Sequence, residues 1–187
     1  MIGGRRRFTP LQRLLHWHMA ACILAMLFIG VGMVSTVMPK YLTLVSIHKP
    51  LGIAILALAL IRLAVRLRYS APALPVDMPE PMKLAAHASH YAFYALMIAM
   101  PLLGWGMLSA AAYPVVLFAG VHLPAILPHS DGLHTLLWNA HFYLAFAFFA
   151  VIVLHAAAAL FHALVRRDGV SETMAPLPDR DRTAPAE

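Results

Sequence analysis

Three histidines interrupt the last apolar stretch of the chain. This stretch, residues 136–165, is rich in Ala, Leu and Phe, yet it contains His141, His155 and, near its end, His162. His141 and His155 are fourteen residues apart. In a helix, fourteen residues span about 21 Å, and the accumulated rotation returns to within about 40° of its start. Both imidazoles therefore lie on one face, one near each end of a segment long enough to cross a bilayer. Ionisable side chains in such segments are rare and mark functional sites, so we expect both to bind a ligand.

The composition predicts an integral membrane protein. Of the 187 residues, 61% are hydrophobic and only 12% are charged, which is far from the norm of soluble domains. Four runs are long enough to cross the lipid bilayer, at about residues 11–37, 44–68, 82–111 and 135–166. We predict an all-α four-helix bundle formed by residues 1–168, followed by a polar, Pro-rich tail, residues 169–187, that is disordered and cytoplasmic.

The basic residues lie at the ends of the apolar runs, and they predict the topology. They are Arg5, Arg6, Arg7 and Arg13 before the first run, Arg62, Arg66 and Arg68 at the end of the second, Lys83 at the start of the third, and Arg166 and Arg167 at the end of the fourth. By the positive-inside rule, both termini and the connection between the second and third helices are cytoplasmic. The net charge of +6 thus reflects topology, and we expect no nucleic-acid partner.

This topology gives each histidine a depth in the membrane. The second and fourth helices both run inward, so His48 lies at the depth of His141, near the outer face. The first helix runs outward, so His16 lies near the depth of His155. His87 and His90 share that inner depth, and the residue pattern alone does not choose among the three partners for His155. Whichever of them is not a ligand could bind quinone, transfer protons or simply be solvated at the interface.

Two imidazoles facing each other across a helix bundle suit haem iron, because they fill both of its axial positions. Such iron favours electron transfer, and two haems along the membrane normal would carry electrons across. Arg62 follows His48 by fourteen residues, so it lies on the same face about 21 Å deeper, where it could meet the propionates of an inner haem. Arg62 and Arg66 could equally extend to the inner interface, as long basic side chains do.

Several short motifs resemble those of the bacterial cytochrome b561 family of four-helix, dihaem, quinone-linked cytochromes. The resemblance covers about residues 8–168, and its motifs are Leu15-His16-Trp17, His48-Lys49-Pro50-Leu51-Gly52, Pro101-Leu102-Leu103-Gly104-Trp105 and His155-Ala156-Ala157-Ala158-Ala159-Leu160-Phe161-His162. It implies two haems b in the bacterial inner membrane, one ligated by His16 and His155 on the cytoplasmic side and one by His48 and His141 on the periplasmic side. It also implies electron exchange with ubiquinone, and superoxide oxidation as the source of electrons.

Our first functional hypothesis is therefore a quinone-linked oxidoreductase that transfers electrons between an outer donor, such as superoxide, and ubiquinone. Lys40 and Lys49, the only basic residues expected outside, could attract superoxide or merely solvate the loop. A second hypothesis is an electron-conducting anchor subunit for a partner dehydrogenase or a periplasmic donor protein. A haem-free transporter is disfavoured by the well-separated pairs. We interpret the outer-loop residues His122, His129 and His134 as solvated, although a metal site there is the alternative.

Overall fold

The computed structural model describes residues 7–175, and four long helices account for most of them. They are α1 (Pro10–Val34), α2 (Lys40–Arg68), α3 (Glu80–Ala110) and α4 (Asp131–Leu160), the last continued by a π-helical segment, Phe161–Arg166. All four are long and apolar enough to cross a membrane. The all-α prediction is confirmed, although α2 and α4 each begin four residues earlier than the hydropathy pattern indicated.

The start of α1 is capped by the side chains of Thr9 and Gln12. The hydroxyl of Thr9 accepts from the backbone N–H of Gln12 at 3.2 Å, and the side chain of Gln12 accepts from the backbone N–H of Thr9 at 3.0 Å. Pro10 occupies the first turn, where a missing N–H costs nothing. The amide of Gln12 also donates to the Tyr69 carbonyl at 3.0 Å, so the start of α1 is fastened to the end of α2.

Pro50 lies inside α2, which settles how His48 is held. The sequence allowed either a helix beginning at Pro50 or a longer helix with a proline in its interior. Because α2 begins at Lys40, His48 is a helical residue, and Pro50 is buried two positions after it. Pro50 has no N–H, so the Ser46 carbonyl loses its usual helical donor.

The helices pack in chain order, α1 on α2, α2 on α3 and α3 on α4. Their shared core lies midway along the bundle, and we call it the central apolar layer. It consists of Met19, Ile23, Ile55, Ala59, Met97 and Phe148. Most other apolar side chains face outward, as expected of a protein whose surroundings are lipid.

The outer loop between α3 and α4 is held against the end of α3. It contains a short antiparallel hairpin in which Val115–Val116 pairs with His122–Leu123. The buried hydroxyl of Ser109 accepts from the Ile126 N–H at 3.1 Å, and the indole of Trp105 donates to the Pro124 carbonyl at 2.9 Å. These bonds fix the start of α4 relative to α3.

The ordered chain continues past the predicted boundary at residue 168. Residues 170–175, which we call the C-terminal strap, turn back from α4 onto the start of α1. Their backbone carbonyls accept hydrogen bonds from side chains or the backbone of Arg7, Phe8, Arg13 and Trp17. The prediction of a disordered tail missed this because the hydrogen bonds use the backbone of the strap, which composition does not reveal. Residues 176–187 of that tail lie outside the described residues.

We predict that the strap stabilises the bundle by joining α1 to α4. A chain ending after residue 169 should unfold at a temperature several degrees lower than the full chain in detergent. Each hydrogen bond contributes about 1 kcal/mol, and 1 kcal/mol shifts Tm by about 2–4 °C at this chain length. The matched control ends after residue 175 and should keep the full-length Tm in a fluorescence melting assay. Equal melting of the two truncated chains would contradict the prediction.

Candidate functional site

His48 and His141, the pair that we predicted near the outer face and call the outer pair, lie on α2 and α4. The ring centroids of His48 and His141 lie 6.1 Å apart, with an angle of 65° between the ring planes. Nδ1 of His141 lies 3.1 Å from the Met100 carbonyl, to which it donates when that nitrogen carries the proton. This bond orients the ring and leaves Nε2 as the nitrogen with a lone pair for a metal.

Gly104 makes the position of His141 possible. A Cβ atom at residue 104 would already lie 3.4 Å from Cε1 and 3.6 Å from Nδ1 of His141. The imidazole therefore lies directly over the backbone of α3, one turn beyond the carbonyl that it contacts. Gly104 of the Pro-Leu-Leu-Gly-Trp motif thus leaves space for this ring, and Met100, the residue before the motif, supplies the acceptor.

The inner site contains three imidazoles. His155 of α4 lies 6.3 Å from His16 of α1 and also 6.3 Å from His90 of α3, measured between ring centroids. The structure therefore brings together two of the three partners that the sequence left open, and the separations do not choose between them. His87 is exposed and makes no ring contact with His155 among the described residues.

Burial distinguishes His16 from His90. Nδ1 of His16 and Nδ1 of His48 are both buried without a hydrogen-bond partner in the part of the chain that the structure describes. His90 is an exposed side chain by comparison. His16 thus has the same surroundings in the inner pair as His48 has in the outer pair, which favours His16 as the ligand.

The separations in both pairs fit a metal between the rings. Two metal–imidazole bonds of about 2.0 Å and two ring radii of about 1.1 Å place the centroids about 6 Å apart. Burying an imidazole in an apolar bundle without a partner is costly, and coordination through Nε2 would supply one of the two partners that each ring needs. The residues present therefore fit iron with two axial histidines, which is the ligation of an electron-transfer haem.

The three basic residues of the predicted site differ in their contacts. The guanidinium of Arg62 lies 6.0 Å from the ring of Tyr94 and interacts electrostatically with all three inner imidazoles. At the other end of α2, Lys49 donates to the Pro114 carbonyl at 3.4 Å. Lys40 is exposed at the first position of the helix.

An open cavity of about 460 Å³ adjoins the outer end of α2. It lies between that helix and the hairpin of the outer loop, and Lys49 contributes its only charged side chain. The remaining lining residues are Leu42, Val45, Ser46, Ile47, Val116, Leu117 and Phe118. Ile47 and Lys49, the neighbours of His48 in the chain, both line this cavity.

Two histidines that we predicted in the outer loop contact backbone carbonyls of α3, and one of them, His129, is also exposed as we expected. Nδ1 of His134 lies 2.9 Å from the Met107 carbonyl, and Nδ1 of His129 lies 2.9 Å from the Ala110 carbonyl. His134 precedes His141 by seven residues, and Met107 follows Met100 by seven, so the two contacts repeat after two turns. Within residues 7–175 no group of three or more His, Cys, Asp or Glu side chains forms a metal site, so the alternative of a loop metal gains no support.

A buried ionic cluster at the inner end of α4 was not identified from the sequence. Asp168 lies 2.7 Å from Nδ1 of His162 and accepts from Nε of Arg166 at 2.8 Å, while Arg166 also reaches Asp77 at 3.2 Å. Burial raises the pKa of Asp168, but the hydrogen bonds from Arg166 and His162 outweigh it and hold that pKa below its ordinary value. The π-helical segment and the left-handed Arg167 produce this cluster, and hydrophobic periodicity predicts neither.

Comparison with known proteins identifies relatives over most of the chain. Residues 7–176 match the family described as prokaryotic cytochrome b561. A probable superoxide oxidase CybB of Yersinia pestis is 36% identical over 135 residues, which cover 70% of this chain and 73% of that protein. Cytochrome b561 homolog 2 of Escherichia coli strain K12 is 28% identical, with 90% of each chain covered. Cytochrome b561 homolog 1 of the same strain is 29% identical, over 91% of this chain and 97% of that one.

We predict that a side chain at residue 104 disrupts the outer site. Gly104→Leu should displace the His141 ring and reduce the bound haem, because atoms beyond Cβ would occupy the position of the imidazole. Gly104→Ala is the matched control and should keep its haem, since 3.4 Å is an ordinary contact. Haem extracted per mole of purified protein measures the effect. Full haem content in Gly104→Leu would show that this close approach is not required.

Proposed function

The chain belongs to the prokaryotic cytochrome b561 family, and we propose that its two histidine pairs bind two haems b in series across the membrane. It is a membrane b-type cytochrome that acts in electron transfer. His48 and His141 would hold the outer haem, and His16 and His155 the inner one. The observation that carries this proposal is the occurrence of two imidazole pairs with almost equal ring separations, one towards each end of α4.

In this function the protein would orient the haem ligands and separate the two haem sites from each other. When bound, haem iron with two axial imidazoles exchanges single electrons and has no open position for oxygen. The hydrogen bond from His141 to the Met100 carbonyl keeps one ligand in the required tautomer. The central apolar layer separates the two sites and excludes water between them. Arg62 would pair with a propionate of the inner haem.

Superoxide is the donor that we propose for the outer side. A relative from Yersinia pestis is named as a probable superoxide oxidase. Lys49 borders the outer cavity next to His48, and Lys40 is exposed at the start of the same helix. Two positive charges at this opening would raise the local concentration of a small anion. Each superoxide gives up one electron and leaves as molecular oxygen.

Ubiquinone is the acceptor that we propose for the inner side. Its reduction to quinol takes two electrons and two protons, so two superoxide ions are consumed for each quinone. Two groups near the inner pair are suited to supplying protons. His90 is exposed beside His155, with His87 one turn earlier on α3. His162 and Asp168 form the second group, with 2.7 Å between Nδ1 of the imidazole and the carboxylate.

We propose that the protein lies in the bacterial inner membrane, with both termini in the cytoplasm. The start of α1 and the end of α4 meet through the C-terminal strap, so both lie at the same end of the bundle. Arg13, Arg62 and Arg166 also lie towards that end, in agreement with the positive-inside rule.

A second candidate is an electron-conducting anchor for a partner protein, and the open cavity beside His48 is the observation that favours it. An anchor would use the same haem ligands but would take electrons from a docked protein. The two candidates therefore differ in whether the chain alone oxidises superoxide.

Replacing the inner histidines singly tests the proposed ligands. We expect His16→Ala to lose one of the two haems, because His155 then lacks its axial partner, and His90→Ala to keep both. Haem quantitation and reduced-minus-oxidised spectra of the purified proteins measure this. A His16→Ala protein with two haems, combined with a loss in His90→Ala, would transfer the ligand role to His90.

Pulses of superoxide given to purified protein with ubiquinone test the reaction. We expect quinol to form at one mole for every two of superoxide, whereas an anchor alone should form none above the uncatalysed rate. Lys49→Gln should slow this reaction a few-fold at low salt, and added salt should reduce the difference, since screening weakens steering. Lys49→Arg, which keeps the charge, is the control. Equal rates for the Gln and Arg variants at low salt would argue against steering by Lys49.

A further inference from the structure

The inner end of α2 carries two partly buried guanidinium groups that have no hydrogen-bonded partner among residues 7–175. Arg62 and Arg66 are four residues apart, so they lie on one face of the helix. Both are partly buried, and each contacts an aromatic ring. The guanidinium of Arg62 lies 6.0 Å from the ring of Tyr94, and that of Arg66 lies 5.9 Å from the ring of Phe8. Nη1 of Arg66 is fully buried and unsatisfied.

The acidic side chains that form ion pairs in the described chain contact other cations. Asp77 and Asp168 bond Arg166, Glu80 bonds Lys83, and Asp131 lies beside His129. A guanidinium carries five N–H donors and keeps its charge, so its burial without an anion is costly. The two groups therefore need an anionic partner that the described part of the chain does not supply, and carboxylate and phosphate both match the fork of arginine.

The position of the two arginines identifies which carboxylate is within reach. Arg62 interacts electrostatically with His16, His90 and His155, and Arg66 interacts with His90. Both cations thus face the inner site. A haem held there would bring two propionates into a space with two unpaired guanidinium groups.

The outer site has no equivalent charge. Among the described residues, His141 is the ionisable group that interacts electrostatically with His48, at 6.1 Å between the ring centroids. Lys49 follows His48 in the chain, but its ammonium lies at the exposed surface and contacts the Pro114 carbonyl, where water and salt screen it. The two haem sites are therefore alike in their ligands and different in their surrounding charge.

We propose that Arg62 and Arg66 together form a carboxylate site for the propionates of the inner haem and give that haem the higher midpoint potential of the two. This inference rests on the proposed function, since it requires two bound haems. It adds Arg66 to the propionate site and assigns a direction to the transfer of electrons between the haems. Positive charge in a partly buried site stabilises the reduced form, which carries one more electron. Electrons would then pass from the outer to the inner haem downhill.

Redox titration of the purified, haem-loaded protein, followed by its absorption spectrum, tests this. His141→Ala and His155→Ala variants, each retaining one haem, assign the two potentials. We expect Arg62→Gln and Arg66→Gln each to lower the inner potential by at least about 59 mV, a tenfold change in a one-electron equilibrium. The outer potential should not change. Arg68→Gln is the matched control, because Arg68 lies at the same helix end but is exposed against Tyr69.

The outcomes separate this inference from the function on which it rests. Wild-type protein without reducible haem would refute both. Two haems whose potentials do not respond to Arg62→Gln or Arg66→Gln, or an inner haem with the lower potential, would refute only the inference. If Arg66→Gln loses the inner haem, restoration by Arg66→Lys supports a charge site, and failure of that rescue contradicts it. Loss of a co-purifying anionic phospholipid, with potentials unchanged, would assign the site to a lipid phosphate instead.

Discussion

The structure depends on one constraint, which is that an imidazole inside an apolar bundle needs a partner for each of its nitrogens. His141 satisfies Nδ1 with a carbonyl of the neighbouring helix, and its other nitrogen is left for a ligand shared with His48. His16 and His48 make no hydrogen bond at their buried Nδ1 within residues 7–175, and a metal bound at Nε2 would give each ring one partner. In the function that we propose, the two histidine pairs hold haem. The family to which the chain belongs provides that cofactor.

Packing in the bundle follows from the same requirement. α4 carries one member of each pair, and it contacts chiefly α3, while its ligand partners belong to α1 and α2. Its position is fixed by polar contacts that repeat after two turns, from His134 to Met107 and from His141 to Met100. At the inner end the C-terminal strap joins α4 to α1. Backbone groups on α3 and on the strap thus hold the ligand helices at a distance that apolar packing alone would reduce.

Much of this arrangement was predictable from the sequence, and the reasons are physical. Hydropathy predicted the four helices because a bilayer admits few alternatives. The pairing of His48 with His141 followed from depth, since a straight helix converts residue number into position. The partner of His155 was harder to predict, because the depth of a residue does not tell which way its helix is rotated about its axis. His16 and His90 indeed lie equally far from His155. Contacts to backbone carbonyls, such as those of His134 and the strap, leave no pattern in the side-chain sequence.

The central apolar layer has an electrical consequence for the proposed path. Its six side chains are all apolar, so between the two histidine pairs there is no fixed charge and no chain of proton carriers among them. An electron that moves inward through this layer is not accompanied by a proton, and the step transfers net charge across the membrane. With a negative cytoplasm, that movement is opposed by about 2.3 kcal/mol for each 100 mV of membrane potential. The membrane potential would then affect the rate of electron transfer through the bundle, as would the concentrations of the two substrates.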